Sequence, residues 1–98
     1  MRLLFLGDVV GKSGRDAVSD RLPGLVARFG FDFVIVNGEN ASHGRGLTEP
    51  HFAAIREAGA DVVTLGDHAF DQRETMSYIA REPTLVRPVN MPEGTPGR

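Results

Sequence analysis

The chain has 98 residues, no cysteine and a formal net charge of −2, from 11 basic and 13 acidic residues. A chain of this length forms at most one domain, and the lack of cysteine excludes disulfide bonds, thiolate metal ligands and a cysteine nucleophile. No block of like charge is present, so a large nucleic-acid partner is not expected. Any bound metal must therefore be held by oxygen and nitrogen atoms.

The sequence carries no recognisable targeting or membrane signal. Met1 and Arg2 precede a short apolar run that already contains Gly7 and Asp8, without the longer hydrophobic segment and cleavage site of a signal peptide. No apolar run approaches the length that spans a membrane. We therefore expect a soluble, cytoplasmic protein.

The first half of the chain begins with a strand and a helix. Leu3 to Leu6 is apolar on both faces, which predicts a central, parallel strand. A helix is predicted from about Gly14 to Arg28, with Ser13 and Asp16 as a capping box and Pro23 as a kink or break. Its apolar positions recur at helical spacing: Val18, Leu22, Leu25, Val26 and Phe29.

The next elements repeat this order. Phe33 to Val36 is predicted as the second strand, and Asp61 to Leu65 as the third. Between them, Thr48 caps a second helix that has Pro50 in its first turn and ends at Gly59. The inner face of this helix is predicted to carry Phe52, Ile55 and Ala58.

The last third of the chain is less regular. Asp71 and Glu74 predict the start of a short helix that runs to about Ala80. Leu85 and Val86 begin a fourth strand, and the residues after Arg87 have the proline and glycine content of a loop.

This alternation predicts an α/β fold of the βαβαβα(β) type, with a mainly parallel sheet and right-handed crossovers. Ligands bind such sheets at the carboxyl ends of the strands. Five polar residues follow the three predicted strands and would meet at that edge: Asp8, Glu39, Asn40, Asp67 and His68. Their convergence is the main functional inference from the residues themselves.

A phosphate-binding loop is a competing interpretation of the segment after the first strand. The sequence Val10 to Ser13 resembles the end of such a loop, but the motif requires glycine at position 6, where the chain has Leu6. No G-x-G-x-x-G pattern occurs either. We therefore interpret Lys12 and Ser13 as the start of a helix.

The residue types at the strand ends favour a divalent metal. A carboxylate at Glu39 can bridge two cations, with the amide oxygen of Asn40 beside it. Such ligands suit manganese, magnesium or ferrous iron, and imidazole extends the choice toward iron and zinc. Asp8 by itself is equally typical of an Asp that binds backbone in a tight turn.

The histidines differ in their expected roles. His68 lies beside Asp67 at a strand end, which favours a metal ligand or a general acid over a packing role. His43, in a glycine-rich loop, is as consistent with a solvated or substrate-facing side chain as with a ligand. His51 is expected on the surface. Asp71 is expected to be a helix cap, and the alternative is that it forms a hydrogen bond to one of the metal ligands without binding the metal itself.

Several stretches together resemble the YmdB-like family of calcineurin-type metallophosphoesterases. The resemblance covers essentially all 98 residues in order. It is carried by Gly7–Gly11, Asn37–Ala41, His43-Gly44, Gly46–Thr48, Gly66-Asp67-His68, Arg87-Pro88 and Pro92–Gly97. Since family members are considerably longer, the chain is expected to be the amino-terminal part of one metallophosphoesterase domain.

The resemblance implies a two-metal phosphodiesterase that acts on small phosphodiesters such as 2′,3′-cyclic nucleotides. It implies that Asp8 binds the first metal, Glu39 bridges both and Asp67 binds the second. Asn40 would lie beside the metals and help to hold the phosphate, and His68 would be the general acid. The metals expected first are iron or manganese, with magnesium or zinc as alternatives.

Two features depart from the family pattern. Asp67 stands where the family has asparagine, so we expect slower turnover or a changed metal preference, because the added negative charge repels phosphate. The family's remaining ligands are histidines in a carboxyl-terminal portion that these 98 residues do not include. The alternative is thus a catalytically incomplete fragment that binds metal or phosphate weakly, or a self-associating module, and homo-oligomer formation stays open.

Overall fold

The computed structural model of the chain describes residues 1–42, 46–66, 78–87 and Gly97. Strands and helices alternate, as the sequence pattern predicts. In chain order the elements are β1 (Leu3–Leu6), α1 (Gly11–Phe29), β2 (Phe33–Asn37), α2 (Glu49–Ala58), β3 (Val62–Thr64), a 3₁₀ turn (Ile79–Arg81) and β4 (Leu85–Val86). None of the described helices is both long enough and apolar enough to cross a membrane.

The four strands form one parallel sheet in the order β1-β2-β3-β4. Leu4 pairs with Val34, Val36 with Val63, and Val63 with Leu85. The predicted α/β class, the parallel sheet and the fourth strand are confirmed. Strands β1, β2 and β3 lie side by side in chain order, and the right-handed crossovers usual between parallel strands place α1 and α2 on the same face of the sheet, where the two helices contact each other.

The core lies between that face and the two helices. Alternate strand residues point into it, as the two-residue period of a strand requires. Strand residues Val34, Val36, Val63 and Leu85 belong to the same buried cluster as helix residues Val18, Leu22, Phe52, Ile55 and Ala58. The predicted inner face of α2 is confirmed, whereas Phe29 of α1 is exposed and contacts Phe31.

The opposite face of the sheet is apolar but open. On β1, Leu3 is 59% exposed and Phe5 is 63% exposed. The prediction that β1 is central is wrong, because β1 lies at the edge of the described sheet and pairs only with β2 among the described strands. Apolar residues on both faces of a strand favour burial on both faces, but the two helices cover only one.

Helix α1 begins earlier than predicted, and the capping box at Ser13 is wrong. The N-cap is Val10, which makes no side-chain capping bond. The start of the helix is instead fixed by the neighbouring loop, since Val10 forms a β-bridge with Asn40 and the Gly11 N–H donates to the Asn40 carbonyl at 3.0 Å. Pro23 lies inside α1 as predicted, but it does not split the helix.

The second helix agrees with its predicted ends. Thr48 is the N-cap residue, although its side chain makes no capping bond, and Gly59 is the C-cap with a φ of 131°. The third strand is shorter than predicted, with Asp61 and Leu65 just outside it, and the Asp61 carboxylate accepts a hydrogen bond from the Val34 N–H at 2.7 Å. The helix predicted from Asp71 lies mostly outside the described residues.

Candidate metal centre

The carboxyl ends of β1 and β2 bring four polar side chains together. Asp8 follows β1, Asn37 ends β2, and Glu39 and Asn40 follow β2. Two backbone hydrogen bonds hold these loops side by side, from the Val9 N–H to the Asn37 carbonyl at 3.3 Å and from the Gly11 N–H to the Asn40 carbonyl at 3.0 Å. We call the side chains of Asp8, Asn37, Glu39 and Asn40 the oxygen cluster.

Asp8 and Asn40 are joined directly. The Asn40 Nδ2 donates to both carboxylate oxygens of Asp8, at 3.1 and 3.0 Å. An amide nitrogen facing a carboxylate fixes the orientation of the amide, so the Asn40 Oδ1 points away from Asp8. This contact links two loops that are 32 residues apart in sequence.

Glu39 is held from one side by Asn37. The Asn37 Nδ2 lies 3.4 Å from the Glu39 Oε1, which is a long hydrogen bond. The other carboxylate oxygen, Oε2, is buried and receives no hydrogen bond from any described residue. Sequence reasoning missed Asn37. An amide side chain at the end of an otherwise apolar strand is the signal that could have identified it.

Three buried oxygens of the oxygen cluster lack a hydrogen-bond donor within the described parts of the chain: Asn37 Oδ1, Glu39 Oε2 and Asn40 Oδ1. Leaving a buried acceptor unsatisfied costs free energy, and for a carboxylate the cost is larger. Divalent cations such as Mn²⁺ and Mg²⁺ prefer carboxylate and amide oxygens. The cluster therefore fits a hard cation by its chemistry.

The structure places three of the residues that the sequence singled out at the same edge of the sheet: Asp8 and Asn40 are hydrogen-bonded to each other, and Glu39 lies against Gly66 at the end of β3. Asp67, His68 and His43 lie outside the described residues. Within residues 1–42, 46–66 and 78–87, no group of three or more His, Cys, Asp or Glu side chains is arranged to hold a metal. The described portion of the centre thus consists of carboxylates and amides.

Gly66 places the end of β3 against the same cluster. The ideal Cβ position of Gly66 lies within 2.5 Å of the Glu39 Oε1, so the carboxylate fills the space that a side chain would occupy. Gly66 is also the residue that immediately precedes Asp67 and His68 in the sequence. The predicted convergence of three strand ends at one edge is therefore visible as far as Gly66.

A second polar group, centred on Ser42, was not identified from the sequence. Ser42 is fully buried, its Oγ accepts the Thr48 N–H at 2.8 Å, and it lies 2.6 Å from the His51 Nδ1. His51 is half-buried, so the expectation that it is a simple surface residue is wrong. Because these contacts hold the loop against the first turn of α2, we interpret the group as structural.

The comparison with known proteins gives a family. Residues 4–98 match the model of the family described as YmdB-like protein. The chain belongs to the YmdB-like family. The resemblance inferred from the motifs is thereby confirmed over nearly the whole chain.

Relatives in the YmdB-like family carry names of hydrolases. The chain is 50% identical over 98 residues to the 2′,3′-cyclic-nucleotide 2′-phosphodiesterase of Bacillus subtilis (strain 168). It is 38% identical over 91 residues, or 93% of its length, to a putative phosphatase/phosphodiesterase of Mycoplasma pneumoniae. The chain covers 37% of the first relative and 32% of the second, so it spans less than two fifths of either.

Solved structures show the same fold. A hypothetical protein from Thermus thermophilus matches with a TM-score of 0.91 and 46% identity, over 100% of this chain and 38% of that one. A novel phosphatase from Mycoplasma pneumoniae matches with a TM-score of 0.89 and 35% identity, over 97% of this chain and 36% of that one. The YmdB-like chain therefore has the fold of part of a phosphatase domain.

Proposed function

We propose that the chain carries half of the two-metal site of a phosphodiesterase that hydrolyses small phosphodiesters such as 2′,3′-cyclic nucleotides. The observation that supports this most directly is the buried Oε2 of Glu39, which, like the amide oxygens of Asn37 and Asn40, receives no hydrogen bond from a described residue. The name of the Bacillus subtilis relative supports the substrate class. The proposal covers the activity of a complete domain, of which these residues form a part.

The roles proposed for the site residues are those that the family resemblance implies. Asp8 would hold the first cation and Asp67 the second, and the Glu39 carboxylate would contribute to holding both. Divalent cations bound there would neutralise the phosphoryl charge and activate a water molecule for in-line displacement. Iron or manganese suits these carboxylates combined with the histidine ligands that the family resemblance expects from the rest of the domain, with magnesium or zinc as alternatives.

The chain's own side chains would orient the substrate and move a proton. The Asn40 Nδ2 holds the Asp8 carboxylate in place, and the buried Asn40 Oδ1, which receives no hydrogen bond from a described residue, would lie next to the phosphate. His68 would donate a proton to the alkoxide oxygen as the bond from phosphorus to that oxygen breaks. His43, in the loop after Ser42, would have at most a minor contact with substrate.

The test is hydrolysis of a 2′,3′-cyclic nucleotide with Mn²⁺, measured for a complete domain that contains these residues and for its His68→Ala and Glu39→Gln variants. We expect each variant to lose activity by about 100-fold or more, because general acid catalysis alone contributes about that much. Asp16→Asn is the matched control, since the Asp16 carboxylate pairs with Lys12 on the exposed face of α1. A full rate in His68→Ala would contradict the assigned proton donor.

A second candidate is a non-catalytic module that binds metal or phosphate weakly and associates through its open sheet face. The exposed side chains of Leu3 and Phe5 favour this candidate, because large apolar groups at a sheet face and edge promote association. Sedimentation analysis separates the two candidates when combined with the assay. Self-association without hydrolysis at saturating Mn²⁺ supports the module, and hydrolysis that depends on Glu39 supports the enzyme.

A further inference from the structure

The carboxylate of Glu39 occupies the space in which a side chain at position 66 would begin. The three atoms nearest to an ideal Cβ on Gly66 are Oε2, Cδ and Oε1 of Glu39, all closer than real Cβ contacts allow. All three of these nearest atoms belong to Glu39. The closest overlap is therefore with the group proposed to bridge the cations.

The backbone around Gly66 is held in place. The Leu65 side chain is buried, and its N–H donates to the Val86 carbonyl at 2.8 Å. On the adjoining strand, the Gly38 N–H donates to the Thr64 carbonyl at 2.9 Å. These bonds fix the end of β3 against the start of the Glu39 loop, so Gly66 cannot easily withdraw from the carboxylate.

The carboxylate is the part that can move. It is the tip of a flexible side chain, and its one hydrogen bond from a described residue is the 3.4 Å contact from the Asn37 Nδ2. A methyl group at position 66 would therefore turn the carboxylate away rather than push the strands apart. We propose that Gly66 is a positioning residue, whose lack of a side chain holds the Glu39 carboxylate where it can bind a cation.

This inference rests on the proposed function, since it assumes that Glu39 binds a cation. The experiment compares Mn²⁺ affinity, from the electron paramagnetic resonance signal of free Mn²⁺, with the melting temperature of the metal-free chain. Four proteins are needed: the native chain, Gly66→Ala, Glu39→Gln and Gly24→Ala. Gly24→Ala is the matched control, because nothing lies within 4 Å of its ideal Cβ.

We expect Gly66→Ala to melt close to the native temperature and to bind Mn²⁺ roughly 10 to 100-fold more weakly, as for the loss of a group that orients a ligand. In the Glu39→Gln background, Gly66→Ala should cause no comparable further loss, because both changes remove the same interaction. Gly24→Ala should bind Mn²⁺ as the native chain does. Such a pattern separates positioning from a general loss of structure.

Two results would overturn the inference in distinguishable ways. Native Mn²⁺ affinity in Gly66→Ala, with weakened binding in Glu39→Gln, would refute the role of Gly66 and leave the proposed function intact. Native affinity in Glu39→Gln would refute both. If Gly66→Ala does not fold, adding Glu39→Ala removes the overlapping carboxylate and should restore folding, and failure to restore it would also refute the inference.

Discussion

The amide of Asn40 donates to both carboxylate oxygens of Asp8, at 3.1 and 3.0 Å. This pair joins the loop after β1 to the loop after β2, where the Gly11 N–H also donates to the Asn40 carbonyl. One asparagine thus fixes the start of α1 through its backbone and orients a proposed metal ligand through its side chain. The candidate centre and the packing of the fold therefore depend on the same residue.

Asn40→Asp should destabilise the metal-free chain and make it more responsive to metal. The variant loses the donor and places two carboxylates side by side, at a cost of about 1 kcal/mol or more, reduced by solvent because Asp8 is exposed and Asn40 only half-buried. We expect a lower melting temperature without metal and a larger increase on adding Mn²⁺ than for the native chain. Equal melting temperatures of the two metal-free proteins would show that the contact has little energetic value.

Ser42→Ala should destabilise the loop that precedes α2. The substitution removes the acceptor that the Thr48 N–H has in the structure and the partner of the His51 ring, at a cost of about 1–3 kcal/mol. Urea denaturation gives the change in the free energy of unfolding. Ser19→Ala, on an exposed position of α1, is the control and should change it by less than about 0.5 kcal/mol. Equal effects of both substitutions would contradict the structural role of Ser42.

The two faces of the sheet should differ sharply in their sensitivity to substitution. Leu22 is 0% exposed between α1 and the sheet, whereas Leu3 is 59% exposed on the open face. Leu22→Ala should cost about 2–5 kcal/mol, the range for removing a buried leucine side chain. Leu3→Ala should cost less than about 1 kcal/mol, since surface substitutions have small effects. Comparable losses, measured by urea denaturation, would show that the open face is covered in solution.

Asp67→Asn tests the departure from the family pattern at position 67. Removing one negative charge beside the proposed phosphate position should raise the rate or change the order of preference among Mn²⁺, Mg²⁺ and Zn²⁺. The measurement is the turnover of a 2′,3′-cyclic nucleotide by a complete domain that contains these residues, with each metal in turn. An unchanged rate together with an unchanged metal preference would show that aspartate and asparagine are equivalent at this position.

Local sequence patterns predicted the order of the strands and helices, but not which face of each element is buried. The apolar residues of β1 correctly indicated a parallel strand, yet Leu3 and Phe5 face outward, because apolar composition does not state which face is packed. The start of α1 was missed for a similar reason. Ser13 has the chemistry of a cap, but the pairing of Val10 with Asn40 begins the helix earlier, and no local pattern reports that contact.

The sequence predicted more of the candidate site than of the packing around the sheet. Asp8, Glu39 and Asn40 were placed together because the carboxyl ends of parallel strands share one edge. The contribution of Asn37 and the close approach of Gly66 to Glu39 could not be anticipated, since both depend on how far one strand end lies from the next. The roles of Asp67 and His68 stay predictions, because these residues lie outside the described part of the chain.

The most direct test of the central claim is to locate Mn²⁺ on the chain by nuclear magnetic resonance. Mn²⁺ broadens the amide signals of nearby residues, so substoichiometric metal reports where it binds. We expect the signals of Asp8, Asn40 and Gly66 to disappear first, while those of Gly30 and Asp32, before β2 at the other end of the sheet, stay sharp. Uniform broadening, or broadening centred on Asp32, would contradict a metal site at the oxygen cluster.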